Sequence, residues 1–240
     1  MDFTVGRTFS SLYIALDIAW LLVYAGILLA FRKWTAVAVG LVMGVVYFAV
    51  DYGYFYQLAG TRHVEGADPL WFLLWLSMSY GFTNVAWIWL LLDRDGHAVE
   101  WSVLPILGWL AVGQLSSNFG DGFAQIHIWR GVGAYHGAMA AILLVGYLII
   151  VLRNLRGKDN VNILWLMAIG IGVQLAWEAV LLISGIRPPQ WRPIVVNSLI
   201  ETNLGLPYIY LIHRALTRPR TSSSSPRSLR SGRRSATISG

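Results

Sequence analysis

The chain contains no cysteine, so disulfides, thiolate nucleophiles and Cys-ligated metals are excluded. It is also poor in charge. Asp, Glu, Lys and Arg make up 12% of the 240 residues, against about 25% in an ordinary soluble domain. No lysine follows Lys158, which removes a retinal-type Schiff base on the last helix. The sequence has no HExxH, no GxSxG and no P-loop. An aspartate-rich DDxxD cluster for a metal-bound diphosphate is missing too. His127 and His136 stand nine apart around a Gly-rich segment, a spacing with little metal-binding character, and no metal or cofactor is expected.

What the chain has in abundance is apolar length. It is 56% hydrophobic, with a mean hydropathy of +0.58. Reading for runs of about 20 apolar residues gives 12–31, 35–56, 70–92, 101–115, 137–152, 161–183 and 194–212. The expected fold is an all-α, seven-transmembrane-helix bundle over 1–217. Residues 218–240 form a Ser/Arg-rich tail, expected to be disordered and cytoplasmic. Trp and Tyr gather near the span ends (Tyr13, Trp34, Trp71, Trp101, Trp191) in the manner of an interfacial belt. The first run is too long, and its leader too poor in basic residues, for a cleaved signal peptide. One set of connections carries Arg32, Lys33, Arg94, Arg153, Arg156, Lys158 and Arg214, and the other Arg7, Arg62, Arg130, Arg187 and Arg192. The first set, with the tail arginines, belongs inside. Seven spans then put the N-terminus outside and the C-terminus in the cytoplasm.

Four carboxylates fall within these spans: Asp17, Asp51, Glu178 and Glu201. At about 1.5 Å per residue, each lies roughly 8–12 Å below the outer end of its helix. A carboxylate facing lipid costs at least a few kcal/mol. A shared depth implies one polar pocket opening toward the outer face. Aromatic and amide residues accompany it: Tyr47 and Tyr52 around Asp51, the stripe Tyr80, Asn84 and Trp87 on the third helix, Trp177 beside Glu178, and Asn197 and Tyr208 on the face of Glu201. No Lys or Arg falls within any span, so the pocket should be acidic and aromatic, suited to a positive species. For Asp17, a purely structural hydrogen bond, with Ser10 and Ser11 as the nearby candidates, is an equal reading. The segment Ser116–Gly131 reads as a solvated connection, with a lid over the pocket as the alternative.

These residues resemble a known family, the small seven-helix integral-membrane terpene cyclases of microbial meroterpenoid and indole-terpenoid pathways. Asp51 in "AVDYGYFY" stands where that family has an acid late in its second helix. Glu201 in "SLIETNLGLPYIY" stands where it has one early in its seventh. The resemblance implies acid-initiated, metal-independent cyclisation of a lipophilic prenylated aromatic, by alkene or epoxide protonation, ended by proton loss. Asp51 and Glu201, with Glu178, would be the acid–base set. Tyr47, Tyr52, Tyr80, Asn84, Trp87, Trp177, Asn197 and Tyr208 would line the substrate. Burial favours the neutral, proton-donating form of a carboxyl, and rings stabilise cations by about 0.5–2 kcal/mol each.

The rival reading is a small proton-coupled transporter built from two parallel three-helix repeats joined by the fourth helix. In it Asp51 would correspond to Glu178 and Trp71 to Trp191. Membrane lipid is the expected surrounding in either case, and nucleic acid is not a partner.

Overall fold

The structure is a computed structural model that describes residues 5–94, 96–131 and 135–217. The Ser/Arg-rich tail assigned to 218–240 lies outside the described residues. Seven α-helices dominate: α1 (Ser11–Ala30), α2 (Trp34–Phe48), α3 (Pro69–Leu92), α4 (Ala98–Phe119), α5 (His136–Leu155), α6 (Ile163–Ile183) and α7 (Trp191–Thr217). A π-helical segment, Ala49–Leu58, continues α2 without a break. Local chemistry accounts for several boundaries. Ser10 caps α1 by accepting from the Tyr13 N–H at 3.1 Å. Asp68 caps α3 by accepting from Leu70 and Trp71, with Pro69 at the first helical position. Asn162 caps α6 in the same way.

Helix α3 is the axis of the bundle. It packs on α1, α2, α4, α6 and α7, and its C-terminal half from Gly81 to Leu90 is buried throughout. Its tightest neighbour is α2, through small residues. A Cβ on Gly81 would stand 2.8 Å from the Gly44 Cα, and one on Gly40 2.8 Å from the Phe82 ring. The Gly40–Gly44 spacing thus serves helix contact within the chain. On the periphery, Leu22, Val42, Leu107, Leu144 and Leu164 are exposed, as they would be against lipid.

Five helical stretches are long and apolar enough to cross a membrane: Ser11–Ala30, Trp34–Leu58, Ala98–Phe119, His136–Leu155 and Ile163–Ile183. The other two helices, α3 and α7, have 24 and 27 residues but carry more polar side chains inward.

The all-α expectation needs one correction. Three short strands form an antiparallel sheet in the order β1–β3–β2: β1 (Val5–Ser10), β2 (Arg62–Glu65) and β3 (Gln125–Arg130). The segment Ser116–Gly131 is therefore not merely a solvated connection; its second half is the central strand. All three strands lie at one end of the bundle. β1 leads into α1, β2 joins the π segment to α3, and β3 joins α4 to α5. The turn after α6 is tied to the same end, because the Thr8 N–H donates to the Ile186 carbonyl at 3.0 Å. At the opposite end, Arg153 and Arg214 clamp Asp159 at 2.5 and 3.2 Å, and Asp93 meets His213 at 2.7 Å.

The sheet has two unlike faces. Arg62 pairs with Arg130 and Val64 with Ile128, while Arg7 also pairs with Ile128. Alternation along each strand puts Arg7, Arg62 and Arg130 on the same face as the buried Phe9, Val64, Ile126 and Ile128. That face rests on the helices. His63 and Glu65 point away and are exposed.

Candidate functional site

A cavity of about 120 Å³ lies beneath the sheet, lined by side chains from all three strands, the π segment and five helices. Asp51 and Glu201, expected to meet, both line it. Tyr47, Tyr80 and Trp177 line it too, as expected. Phe55, Met139 and Leu204 complete an apolar part of the wall. The volume is well short of the roughly 300–1,000 Å³ that encloses a drug-sized molecule. The chamber can therefore enclose only a small group or the end of a longer molecule.

Asp51 sits within the π segment, whose wider turn is a recurrent feature of functional sites. The residue is buried, and its carboxylate is fully engaged. Arg62 donates to Oδ1 at 2.5 Å, Tyr80 donates its hydroxyl to Oδ2 at 2.9 Å, and the Arg130 Nη2 stands 3.9 Å from Oδ2. The Arg62 guanidinium also lies over the Phe55 ring, 4.9 Å from its centre. Tyr47 packs against Tyr80 with centroids 5.1 Å apart.

Glu178 is completely buried and still more crowded. Arg7, Arg187, Gln174 and Asn197 all donate to its Oε1, at 3.1, 3.0, 3.2 and 3.1 Å. The Arg187 Nε stands 2.5 Å from Oε2. Thr202 of α7 donates to the Gln174 side-chain oxygen, extending the network to the cavity wall. Glu178 is thus the centre of an ionic knot between β1, α6, the turn after it and α7. It does not line the cavity.

Glu201 differs from both. It is half-buried, and no described residue forms a hydrogen bond or ion pair with its carboxylate. Arg7 and Arg130 are near enough to feel its charge.

Two expectations about the pocket change as a result. The acids do not face a cation-free chamber. No Lys or Arg lies within a predicted span, but Arg7, Arg62 and Arg130 fold in from the sheet and Arg187 from the turn after α6. Burial lowers the Arg7 guanidinium to about 10, with Arg130 adding to this and Glu178 opposing it. Burial, followed by Arg130, lowers Arg62 as well. Both remain cationic at neutral pH. The second change concerns Asp17, which does not share the chamber. It accepts from the Trp75 indole N–H at 3.0 Å, and Ser10 instead meets Ser116 at 2.8 Å.

Five of the expected substrate-lining residues lie elsewhere. Tyr52 stacks between Phe48 and Tyr56 on the flank of the π segment. Asn84, one turn below Tyr80, is buried inside α3's own packing. Trp87 donates to Ser102 at 3.0 Å on the α4 side. Asn197 serves Glu178. Tyr208 donates to the Ile142 carbonyl at 2.8 Å and stays with α5. The residues that sequence reading missed are the arginines. Their signal was the alternation in "GRTFS", "TRHVE" and "QIHIWR", where every second residue is arginine or apolar.

Neither a family model, nor a curated protein, nor a solved structure matches this chain.

Proposed function

We propose that the protein is an integral-membrane enzyme of the terpene cyclase type, with all seven helices crossing the bilayer. The observation that carries the reading is that Asp51 and Glu201, on different helices, line one small chamber with Tyr47, Tyr80, Phe55 and Trp177. Buried acids brought together with aromatic faces suit proton delivery to a greasy alkene or epoxide and support of the cation that forms. Intramembrane acids are functional by default, and these two come from separate elements, the π segment and α7.

The crossing pattern follows from connectivity. Every second connection runs through the sheet end and the others through the Arg/Lys-rich end. The positive-inside rule then places the sheet outside and the Arg32, Arg94, Arg153 and Arg214 end in the cytoplasm. The lengths of α3 and α7, 24 and 27 residues, suffice for a span. Polar side chains on both turn into the bundle, among them Ser77, Thr83 and Asn84 of α3 and Asn197, Thr202 and Asn203 of α7.

Within the chamber the two acids divide the work. An ion-paired carboxylate held by Arg62 and Tyr80 is an acceptor, so Asp51 orients Tyr80 and receives a proton late in the reaction. Glu201, with no direct partner among the described residues, delivers the first proton. The cation must then develop toward Tyr47, Trp177 and Phe55 and away from the guanidiniums, which would repel it. The substrate's reacting end enters from the bilayer, and the apolar walls limit access of water.

The test is an incubation of membranes containing the protein with a prenylated aromatic, with and without a terminal epoxide. Cyclisation gives a product of unchanged mass and new retention, and Glu201→Gln abolishes it. Unchanged substrate in every case, with proton-coupled uptake into vesicles, would instead establish a carrier.

A further inference from the structure

The three strands of the sheet each deliver one guanidinium to the chamber: Arg7 from β1, Arg62 from β2 and Arg130 from β3. With Arg187, four guanidiniums meet three carboxylates, Asp51, Glu178 and Glu201, among the described residues. One positive charge is left over, and two when Glu201 carries a proton. The excess is not spread over the surface. Arg7 is 2% exposed and Arg62 7%.

The donors are in surplus as well. The Nε and Nη1 of Arg62, the Nε of Arg7, and the Nε and Nη2 of Arg130 are buried and have no hydrogen-bond partner among the described residues. Buried guanidinium N–H groups are normally satisfied, because an unmet donor in a low dielectric is costly. If these arginines served only to neutralise the acids, matched numbers and satisfied donors would be the natural outcome. Forked, planar donors beside a cavity are what recognises a carboxylate or phosphate. Part of the wall, Val50, Phe55, Met139, Trp177 and Leu204, is apolar.

We infer that the sheet arginines form a binding site for an oxyanion, a carboxylate or phosphate, borne on a ligand whose apolar part lies against that wall. The carboxylates beside the arginines limit the ligand's charge. A surplus of one or two matches a carboxylate or phosphate monoester and leaves a polyphosphate unbalanced. The site rests on the arginines alone and holds whatever reaction the chamber performs. For a cyclase it would fix the substrate's head at the sheet end and screen the guanidiniums from the developing cation.

Thermal unfolding of the full chain in a neutral detergent tests it, with dodecyl phosphate, dodecanol and inorganic phosphate as probes. A ligand that binds only the folded state raises the midpoint with its concentration. Dodecyl phosphate should raise it strongly and dodecanol hardly at all, with an apparent affinity that weakens as salt is added. Arg130→Gln should weaken dodecyl phosphate at least about tenfold, since it removes a charged fork. Arg153→Gln, at the other end of the bundle, should leave binding unchanged. Should Arg130→Gln not fold, the contrast between dodecyl phosphate and dodecanol in the unaltered chain still decides. An equal shift with inorganic phosphate supports the oxyanion site and identifies a free anion as its ligand. Equal shifts with dodecyl phosphate and dodecanol, or undiminished binding by a folded Arg130→Gln, would overturn the inference. Because no turnover is involved, the result is independent of whether cyclisation is detected.

Discussion

Glu178 and Glu201 are carboxylates on neighbouring helices, yet their surroundings are opposites. Glu178 accepts four hydrogen bonds on one oxygen and meets Arg187 with the other. Glu201, one helix away, has no direct partner among the described residues and opens on the chamber. Both look alike as sequence: a lone acid in an apolar helix. The difference lies in what folds against them. The turn after α6 carries Arg187 back over Glu178, and β1 brings Arg7 down from above. A saturated buried acid is a fastener, whereas an unsaturated one beside a cavity is available for chemistry.

That contrast can be tested by substitution. Glu178→Gln should have the largest effect on stability. It leaves Arg7 and Arg187 without their counter-charge in a fully buried setting, and removing one partner of such a pair costs about 3–5 kcal/mol. Thermal unfolding in detergent should show a large drop in midpoint. If Glu178→Gln were as stable as the unaltered protein, the fastener role would be wrong.

Tyr80→Phe should cost less, about 1–3 kcal/mol, because it removes the only hydrogen bond to Asp51 Oδ2 among the described residues while Arg62 keeps Oδ1. It should also lower turnover more than the midpoint alone would explain. A fall in both measures by the same proportion would reduce Tyr80 to packing.

The smallest effect belongs to the opposite end of the bundle. Burial works against the Asp159 carboxylate, but the hydrogen bonds and charges of Arg153 and Arg214 outweigh it and hold the carboxyl below its usual range. A depressed folded value means that the stabilisation is present above the unfolded value of about 3.9 and is lost as pH falls through the folded one. The partners are part-exposed, so the gain is about 1 kcal/mol or less. Asp159→Asn should lower the midpoint slightly at neutral pH and converge with the unaltered chain below about pH 4. A gap that widened in acid would contradict the sign.

Much of the helical scaffold was legible from hydropathy, because apolar runs of bilayer length are hard to hide. The run 35–56 anticipates α2 with its π segment, Trp34–Leu58, within two residues at each end. Shared depth brought Asp51 and Glu201 to one cavity as expected, but it counted in Asp17 and Glu178, which lie elsewhere. The sheet was not. Its strands are four to six residues long and sit in connections, where short alternation is overshadowed by the helices beside it. Missing the sheet meant missing the arginines, since a basic residue outside a span reads as an interfacial one. The error about a cation-free pocket followed directly. It came from treating membrane depth as the only coordinate, although a strand can fold back over a helix end. Tyr52 and Tyr208 failed for another reason. Sequence spacing places a residue on a helix face, but which face looks inward depends on helix rotation and, at Tyr52, on the altered turn of the π segment.

The most direct measurement is Glu201→Gln, assayed side by side for thermal midpoint and for conversion of a prenylated aromatic in membranes. With no hydrogen bond or ion pair to lose among the described residues, the midpoint should move by less than about 1 kcal/mol equivalent, while product formation disappears. A variant that keeps its activity, or one that loses activity only because it no longer folds, would contradict the assignment of Glu201 as the proton-delivering group.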